Sequence, residues 1–288
     1  MPYLTVNGID HFYEWVGGSA SGNSVSEKPV LVFIHGWAGS ARYWQQIAQA
    51  LASDFRCLLY DMRGFGRSQP TSEPGPITAA QGYELDTFAD DLATLLNQLQ
   101  LGRVYLMAHS MGASVAVFFL NRYSNRVERG VLTCNGVFEY DEKAFAAFYR
   151  FGGYVVAFRP TWLARIPLMP RLFMARFLHR PIPSVERLAF LQDFLRADYD
   201  TALGTIFTSV SKKATEVMPL QFQQITVPTL LISGEFDQIT PAEMGRQAAA
   251  LNPGYIDYVM MPKTAHFPML EDPETYLTIT RSFLLSQS

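Results

Sequence analysis

The segment Pro29–Gly36, PVLVFIHG, constrains the fold most because it is an almost continuous apolar run of strand length. A strand with one face in water alternates apolar and polar residues, whereas a strand buried on both faces of a parallel sheet does not. Val104–Ala108 and Thr229–Ser233 have the same nearly uninterrupted apolar character. These runs predict a parallel sheet with helices covering both of its faces.

Strand and helix patterns alternate along most of the chain. A hairpin is predicted over Leu4–Gly17, because Asn7-Gly8 supplies the positive φ angles of a tight turn. Further predicted strands are Val30–Ile34, Arg56–Tyr60, Val104–Ala108, Gly130–Cys134, Thr229–Ser233 and Tyr255–Met260. Predicted helices are Ala41–Ser53, Leu85–Leu99, Met111–Tyr123, Ala242–Leu251 and Thr275–Leu285. This alternation is typical of an α/β fold with right-handed crossovers.

Residues 137–219 interrupt the alternation. Five prolines between residues 160 and 183 predict short helices in this segment. Between Lys143 and Gln192 there are eight Lys or Arg residues and a single acid, Glu186. We expect the segment to be a helical cap over the carboxyl ends of the strands, where open α/β sheets bind ligands. The predicted division is therefore a core formed by residues 1–136 and 220–288, with the cap at 137–219.

Composition excludes several classes of function. The chain has 288 residues, 49% of them hydrophobic, so it can bury one large core beside an inserted subdomain. A net charge of −3 gives no overall attraction for nucleic acid. Cys57 and Cys134 lie in apolar runs and are predicted to be buried free thiols, and no Cys/His spacing indicates a metal site. Because no basic segment followed by an apolar one opens the sequence, we expect a cytoplasmic protein.

The stretch YLMAHSMGAS places Ser110 between a predicted strand and a predicted helix. This is the setting of a nucleophile elbow, a strained turn that exposes a serine hydroxyl. The positions two residues to either side must be small, and Ala108 and Gly112 meet that need. Ser110 is the candidate nucleophile, and the alternative is an ordinary serine in a buried segment.

A serine hydroxyl becomes a strong nucleophile only beside a base that a third group orients. His266, in TAHFPMLEDPE, follows the last predicted strand, and Asp237, in GEFDQITP, follows the strand before it. They are the candidate base and orienting acid. A satisfied loop histidine and a turn-capping aspartate are the alternatives. Glu139 or Asp141, after an earlier strand, could instead supply the acid.

Two backbone N–H groups are candidates for an oxyanion hole. They belong to Trp37, in FIHGWAGS, and to Met111, the residue after the candidate nucleophile. His35 is expected to brace the first of these loops. His109 is expected to point away from Ser110 and to be structural, because neighbouring side chains diverge.

Taken together, HGWAGS, YDMRGFGRS, AHSMG, GEFDQITP and AHFPMLEDP resemble the α/β-hydrolase superfamily over nearly the whole chain outside the cap. The chain order Ser110, Asp237, His266 is that of this fold, although Ala108 stands where the elbow motif usually has glycine. The resemblance implies a mostly parallel eight-stranded sheet with helices on both faces and an inserted helical cap. It is strongest to the branch that holds bacterial esterases, cofactor-free haloperoxidases or perhydrolases, and C–C hydrolases. A dehalogenase is disfavoured because its nucleophile is an aspartate.

The leading functional hypothesis is a serine hydrolase that cleaves esters of a fairly apolar acid or alcohol, with no metal or organic cofactor. Alternatives are C–C bond hydrolysis, thioester hydrolysis or perhydrolysis with the same triad, and a ligand receptor on a hydrolase scaffold. Apolar residues in the cap are interleaved with arginines, which favours weak contact with an anionic membrane surface. The arginines concerned are Arg150, Arg165, Arg171, Arg176 and Arg180. The alternative interpretation is a solvated cap face.

Overall fold

The computed structural model describes residues 3–17, 28–70 and 82–286, and within them eight strands form one sheet. The strands are β1 Tyr3–Val6, β2 Ile9–Val16, β3 Val30–Ile34, β4 Arg56–Tyr60, β5 Val104–His109, β6 Val127–Thr133, β7 Thr229–Gly234 and β8 Ile256–Met261. Their order across the sheet is β1-β2-β4-β3-β5-β6-β7-β8. Pairings of β2 with β1 and with β4 are antiparallel, and all the others are parallel. The predicted mostly parallel sheet is confirmed.

Strand β3 shows why an apolar run specifies this sheet. It lies between β4 and β5, and its last four residues are completely buried. Val32 and Ile34 join the hydrophobic cluster on one face, whereas Leu31 and Phe33 join the cluster on the other. Successive side chains of a strand point to opposite faces, so only an apolar residue at every position satisfies both clusters.

Helices cover both faces of the sheet, and a helical segment is inserted between β6 and β7. The core helices are α1 Gln45–Leu51, α2 Leu85–Gln98, α3 Met111–Arg122, α9 Ala242–Ala250, α10 Pro268–Glu271 and α11 Pro273–Leu285. The inserted helices are α4 Glu142–Ala157, α5 Met169–Met174, α6 Ser184–Arg196, α7 Tyr199–Ser209 and α8 Lys212–Gln223. Short 3-10 turns occupy Ala41–Trp44, Ser124–Arg126 and Thr161–Arg165.

Two expectations about the inserted segment differ from the structure. The prediction that its helices are short was wrong for α4, which has 16 residues, because the first helix-breaking proline comes only at Pro160. Helix α8 continues through Pro219 to Gln223, so helical structure extends past the predicted boundary. The division into a core and a cap stays a proposal, and "cap" below denotes residues 137–219.

Other expectations agree with the structure. Asn7 and Gly8, both with positive φ, form the turn of the β1–β2 hairpin. Cys57 and Cys134 are buried and are not joined in a disulfide. Within residues 3–17, 28–70 and 82–286, no helix has the length and apolar character needed to cross a bilayer.

Candidate active site

Ser110 occupies a strained turn between β5 and α3. Its φ of 53° and ψ of −124° lie outside the conformations that non-glycine residues ordinarily adopt. The turn brings α3 against the loop after β3. A Cβ on Gly112 would lie 2.2 Å from the His35 carbonyl oxygen, so this position requires glycine. The small residue predicted from the sequence at Gly112 thus has a steric cause.

His266 and Asp237 lie beside Ser110, although they are far from it in the sequence. His266 Nδ1 is 2.8 Å from Asp237 Oδ2, and His266 Nε2 is 3.1 Å from Ser110 Oγ. A carboxylate can only accept, so Nδ1 carries the proton and Nε2 is free to accept the serine proton. Both residues are almost fully buried. The structure therefore brings together the three residues predicted as nucleophile, base and acid.

Asp237 is held in its ionised form. Burial alone would raise the pKa of its carboxyl group, but neighbouring His266 and three hydrogen bonds outweigh burial and lower the pKa. Two of the bonds come from the Ile239 and Thr240 N–H groups to Asp237 Oδ1, at 2.7 and 3.0 Å. An ionised, rigidly held carboxylate can orient His266 and stabilise its protonated form.

The alternative acids lie elsewhere. Glu139 and Asp141 are exposed where the chain leaves β6 for the cap. His266 Nδ1 is already bonded to Asp237. The geometry therefore favours Asp237 over both.

The two candidate oxyanion-hole residues flank Ser110. A Cβ on Gly36 would lie 3.2 Å from Ser110 Cβ, which places the Gly36–Trp37 loop directly against the serine. Met111 is the first residue of α3, so its N–H has no acceptor within the helix. The Met111 N–H therefore lies at the positive end of the α3 dipole, next to the loop that carries Trp37.

A buried hydrogen-bonded chain, which the sequence did not predict, joins the three loops of the site. The Gly36 N–H donates to the Tyr43 hydroxyl at 2.5 Å, and this hydroxyl is 3.0 Å from His109 Nδ1. His109 Nε2 lies 2.7 Å from the His266 carbonyl oxygen. That oxygen only accepts, so Nε2 carries the proton and Nδ1 accepts from Tyr43. Burial, together with the neighbouring His266, holds the pKa of His109 well below its ordinary value.

Buried hydrogen bonds around the site account for two further histidines and one tyrosine. His109 acts within the hydrogen-bonded chain as a structural group, as expected from the sequence. His35, also as expected, braces its loop, because its Nδ1 is 2.8 Å from the Gly36 carbonyl oxygen and its Nε2 accepts from the Met62 N–H. The only sequence signal for this role of Tyr43 is the presence of a tyrosine at a core position, because the hydroxyl of a buried tyrosine needs a hydrogen-bond partner.

Aromatic residues line the approach to His266. The Phe177 ring lies 6.1 Å from the His266 ring, and Phe173 lies 6.0 Å from Phe177. Phe194 then lies 5.0 Å from Phe173 and 5.9 Å from Trp37. This aromatic row runs from the base to the oxyanion loop, and its phenylalanines all come from the cap.

Hydrogen bonds also join the cap to the site loops. The Trp37 indole N–H donates to the Ala202 carbonyl oxygen in α7 at 3.0 Å. The His266 backbone N–H donates to the Phe177 carbonyl oxygen at 3.0 Å. Asp193 in α6 accepts from Ser40 and Arg42, both at 2.7 Å. The cap therefore contacts both the oxyanion loop and the base loop.

Among the described residues, His109, Cys134 and His266 bring three potential metal-ligating atoms within 4.8 Å of one another. The nitrogens of both rings already lie within hydrogen-bonding distance of partners. Burial raises the pKa of the Cys134 thiol well above its ordinary value, which opposes formation of the thiolate that binds metals. This group does not suit a metal ion.

The fold and the site together define an α/β protein with a hydrolase-type Ser-His-Asp arrangement. Residues 29–273 match the family described as alpha/beta hydrolase fold. The chain belongs to this family.

Three similar proteins illustrate the range of the family. A protein of Synechocystis sp., named as a non-heme chloroperoxidase, is 29% identical over 268 residues, which are 84% of this chain and 85% of the relative. The structure of a hydrolase from Pseudomonas aeruginosa PA01 has a TM-score of 0.77 at 25% identity and covers 99% of this chain and 98% of its own. The structure of a thermophilic esterase from Thermogutta terrifontis has a TM-score of 0.73 at 25% identity and covers 98% of this chain and 97% of its own.

Proposed function

We propose that the protein is a serine hydrolase that cleaves carboxylic esters of fairly apolar substrates through an acyl-enzyme. The observation that carries the proposal is the buried chain from Asp237 through His266 to Ser110, with 2.8 and 3.1 Å between successive partners. A strained, partly exposed serine at the end of that chain has the geometry of an activated nucleophile.

In the first half-reaction, Ser110 Oγ attacks the ester carbonyl carbon while His266 Nε2 takes the hydroxyl proton. The negative charge that develops on the carbonyl oxygen is stabilised by the Trp37 and Met111 N–H groups. Asp237 stabilises the imidazolium. His266 then gives its proton to the leaving alkoxide, which departs as an alcohol and leaves the acyl group on Ser110.

The second half-reaction repeats these roles with water. His266 takes a proton from water, and the resulting hydroxide attacks the acyl carbonyl. The tetrahedral intermediate collapses, and His266 returns the proton to Ser110 Oγ as the carboxylic acid leaves. The chain's own residues can perform every step.

The aromatic row supports an apolar substrate. Trp37, Phe173 and Phe177 are only partly buried, so they present apolar surface beside the base and the oxyanion loop. A buried methylene contributes about 0.8 kcal/mol, so each carbon that reaches this surface strengthens binding noticeably. We therefore expect longer or bulkier acyl or alcohol groups to be preferred over acetate esters.

The test combines covalent labelling with an ester panel. An active-site-directed phosphonate should label Ser110 alone, and Ser110→Ala should lower kcat by about 10⁴-fold or more without changing the fold. Ser114→Ala, in the first turn of α3, is the matched control and should retain activity. A label on another serine would contradict the elbow assignment, and best turnover of acetate esters would contradict the substrate class.

Perhydrolysis is a second candidate, favoured by the similarity to a protein named as a non-heme chloroperoxidase. In this reaction hydrogen peroxide replaces water in the second half-reaction and releases a peracid and free Ser110. Deacylation of one acyl-enzyme in water and in graded hydrogen peroxide separates the two activities. Peracid as the main product at low peroxide would favour perhydrolysis, and carboxylic acid would favour ester hydrolysis.

A further inference from the structure

The cap exposes a run of large apolar side chains to solvent. Exposed positions of α4 follow helical spacing, and the exposure continues along the chain to α5. Six large apolar residues of this run are each more than half exposed, and together they define the outer apolar face: Phe151, Tyr154, Phe158, Trp162, Leu168 and Leu172. Scattered exposed apolar residues are ordinary, but a dense set of them marks an interaction surface.

A groove on α4 adds to this face. It has a volume of about 390 Å³ and is lined by Ala146, Ala147, Arg150, Phe151 and Tyr154. All five are exposed, so the groove opens on the outside of the cap. Its lining is almost entirely apolar apart from the guanidinium of Arg150. A partner that fills it must therefore offer apolar groups close to negative charge.

Four exposed arginines lie among the residues of this face: Arg150, Arg165, Arg171 and Arg176. In the part of the chain that the structure describes, none of them forms a side-chain hydrogen bond or a salt bridge. Three other cap arginines behave differently, because Arg159 and Arg187 donate to backbone carbonyls and Arg180 pairs with Asp272. From Lys143 to Val185 the sequence contains no Asp or Glu. Four unpaired arginines, with no acidic residue near them in the sequence, therefore accompany the outer apolar face.

We propose that the outer apolar face docks on an anionic lipid surface. Aromatic side chains are favoured at the depth of lipid headgroups, and arginines bind phosphate groups there through charged hydrogen bonds. A second copy of the chain fits less well, because pairing this face with itself would bring eight like charges together, four from each copy.

Helix α5 contributes residues both to the docking surface and to the aromatic row beside the candidate active site. Leu172 is exposed on this helix, whereas its neighbour Phe173 belongs to the aromatic row that leads to His266. Lipid contact would thus place the approach to the site close to an apolar phase. Docking itself does not depend on the proposed function, since none of its residues belongs to the triad.

Binding is best measured on full-length Ser110→Ala protein, because turnover then cannot alter the lipid. The probe is co-sedimentation with phosphatidylcholine vesicles that contain about one-third phosphatidylserine, and we expect partitioning at least about tenfold stronger than to pure phosphatidylcholine at low salt. Raising sodium chloride from about 0.05 to 0.5 M should remove most of the difference, because salt screens exposed charges.

Two sets of substitutions with equal change in net charge test whether the face itself is responsible. Replacing Arg150, Arg165, Arg171 and Arg176 with glutamine should weaken partitioning about tenfold or more. The control set replaces four cations outside the outer face with glutamine: Arg103, Lys213, Arg246 and Lys263. These substitutions should change partitioning by less than about twofold. Trp162→Ser with Leu172→Ser should also weaken partitioning, since the apolar residues contribute to docking.

Three results would overturn the proposal. Equal losses in the two glutamine sets would mean that only net charge matters. An absence of vesicle binding by folded protein at low salt would exclude the lipid partner. A concentration-dependent dimer that is lost in the Trp162 and Leu172 variant would assign the face to self-association. Circular dichroism of every variant establishes that it is folded.

Discussion

Arginine and phenylalanine occur both in the core and on the outer apolar face, but the two regions place them differently. In the core, Arg63 is almost completely buried and pairs with Asp91, and Phe119 has no exposed surface. On the outer face, Arg171 forms no ion pair among the described residues, and Phe151 is 64% exposed.

The two regions would therefore support function in different ways. Around Ser110, each polar side chain has a partner at a defined distance, so function depends on geometry. On the outer face the four arginines lack side-chain partners within the described chain, so the proposed docking depends on what binds them. Substitutions should therefore affect activity and stability in the core, and binding alone on the outer face.

The largest expected effect is on catalysis. Asp237→Asn should lower kcat by about 10⁴-fold, because an amide cannot fix the productive tautomer of His266 or stabilise its positive charge. Steady-state kinetics with one preferred ester measure this. Asp141→Asn is the matched control and should stay near wild type. Loss of activity in the control, with Asp237→Asn active, would move the acid to the loop after β6.

The next effect compares two helical phenylalanines. Phe119→Ala, in α3, should lower the free energy of unfolding by about 3–5 kcal/mol, because it empties a packed core position. Phe151→Ala, in α4, should change it by less than about 0.5 kcal/mol. Urea unfolding measures both. A comparable loss for Phe151→Ala would mean that this side chain packs within the monomer, and the contrast between the regions would fail.

A smaller effect concerns the buried hydrogen-bonded chain that joins the loops of the candidate active site. Tyr43→Phe removes the hydroxyl between Gly36 and His109, and we expect kcat to fall about tenfold to a hundredfold with little change in KM, because the oxyanion loop loses its position. Tyr60→Phe is the control, since the buried Tyr60 hydroxyl has no hydrogen-bond partner among the residues that the structure describes. Equal kcat values for the two variants would show that Tyr43 has no positioning role.

The smallest effect is a dependence of stability on pH. Burial lowers the pKa of His11, His35 and His109 in the folded protein. The unfolded chain then binds more protons below its histidine pKa of about 6.5, so stability falls as pH falls through that value. Each histidine should lower the free energy of unfolding by at most about 0.7 kcal/mol between pH 7 and pH 6.

Urea unfolding at the two pH values measures this dependence. The pKa of Asp237 is also lowered, but its contribution is lost only well below this range, as pH falls through the carboxylate values. An unchanged free energy of unfolding between pH 7 and 6 would contradict the assignment of neutral buried histidines.

Much of the fold could be predicted from the sequence because each signal was local. The apolar run of β3 requires burial on both faces, and the Asn7-Gly8 turn specifies its hairpin. The elbow was predictable for the same reason, since Gly112 follows Ser110 by two residues. The positions of Asp237 and His266 followed from a rule about strand ends, which meet at one edge of a parallel sheet.

What could not be predicted depends on contacts between distant residues. Nothing near Tyr43 indicates that its hydroxyl meets His109, because that contact arises only when β3 and β5 pair. The arginines of the cap look alike in the sequence, yet Arg180 pairs with Asp272, 92 residues away, whereas Arg176 pairs with no described residue. Sequence patterns identify such residues but do not determine which of them find partners.

The hydrogen bond from the Trp37 indole to the Ala202 carbonyl ties the cap to the loop beside Ser110. Trp37 also supplies a candidate oxyanion donor, so the cap helix α7 and the catalytic apparatus share one residue. If α7 moved outward to admit a substrate, Trp37 would lose this attachment at the moment when water could also enter. Under the proposed function, the site would then be less well ordered while open than when closed around a ligand, so substrates large enough to hold the cap in place would be favoured.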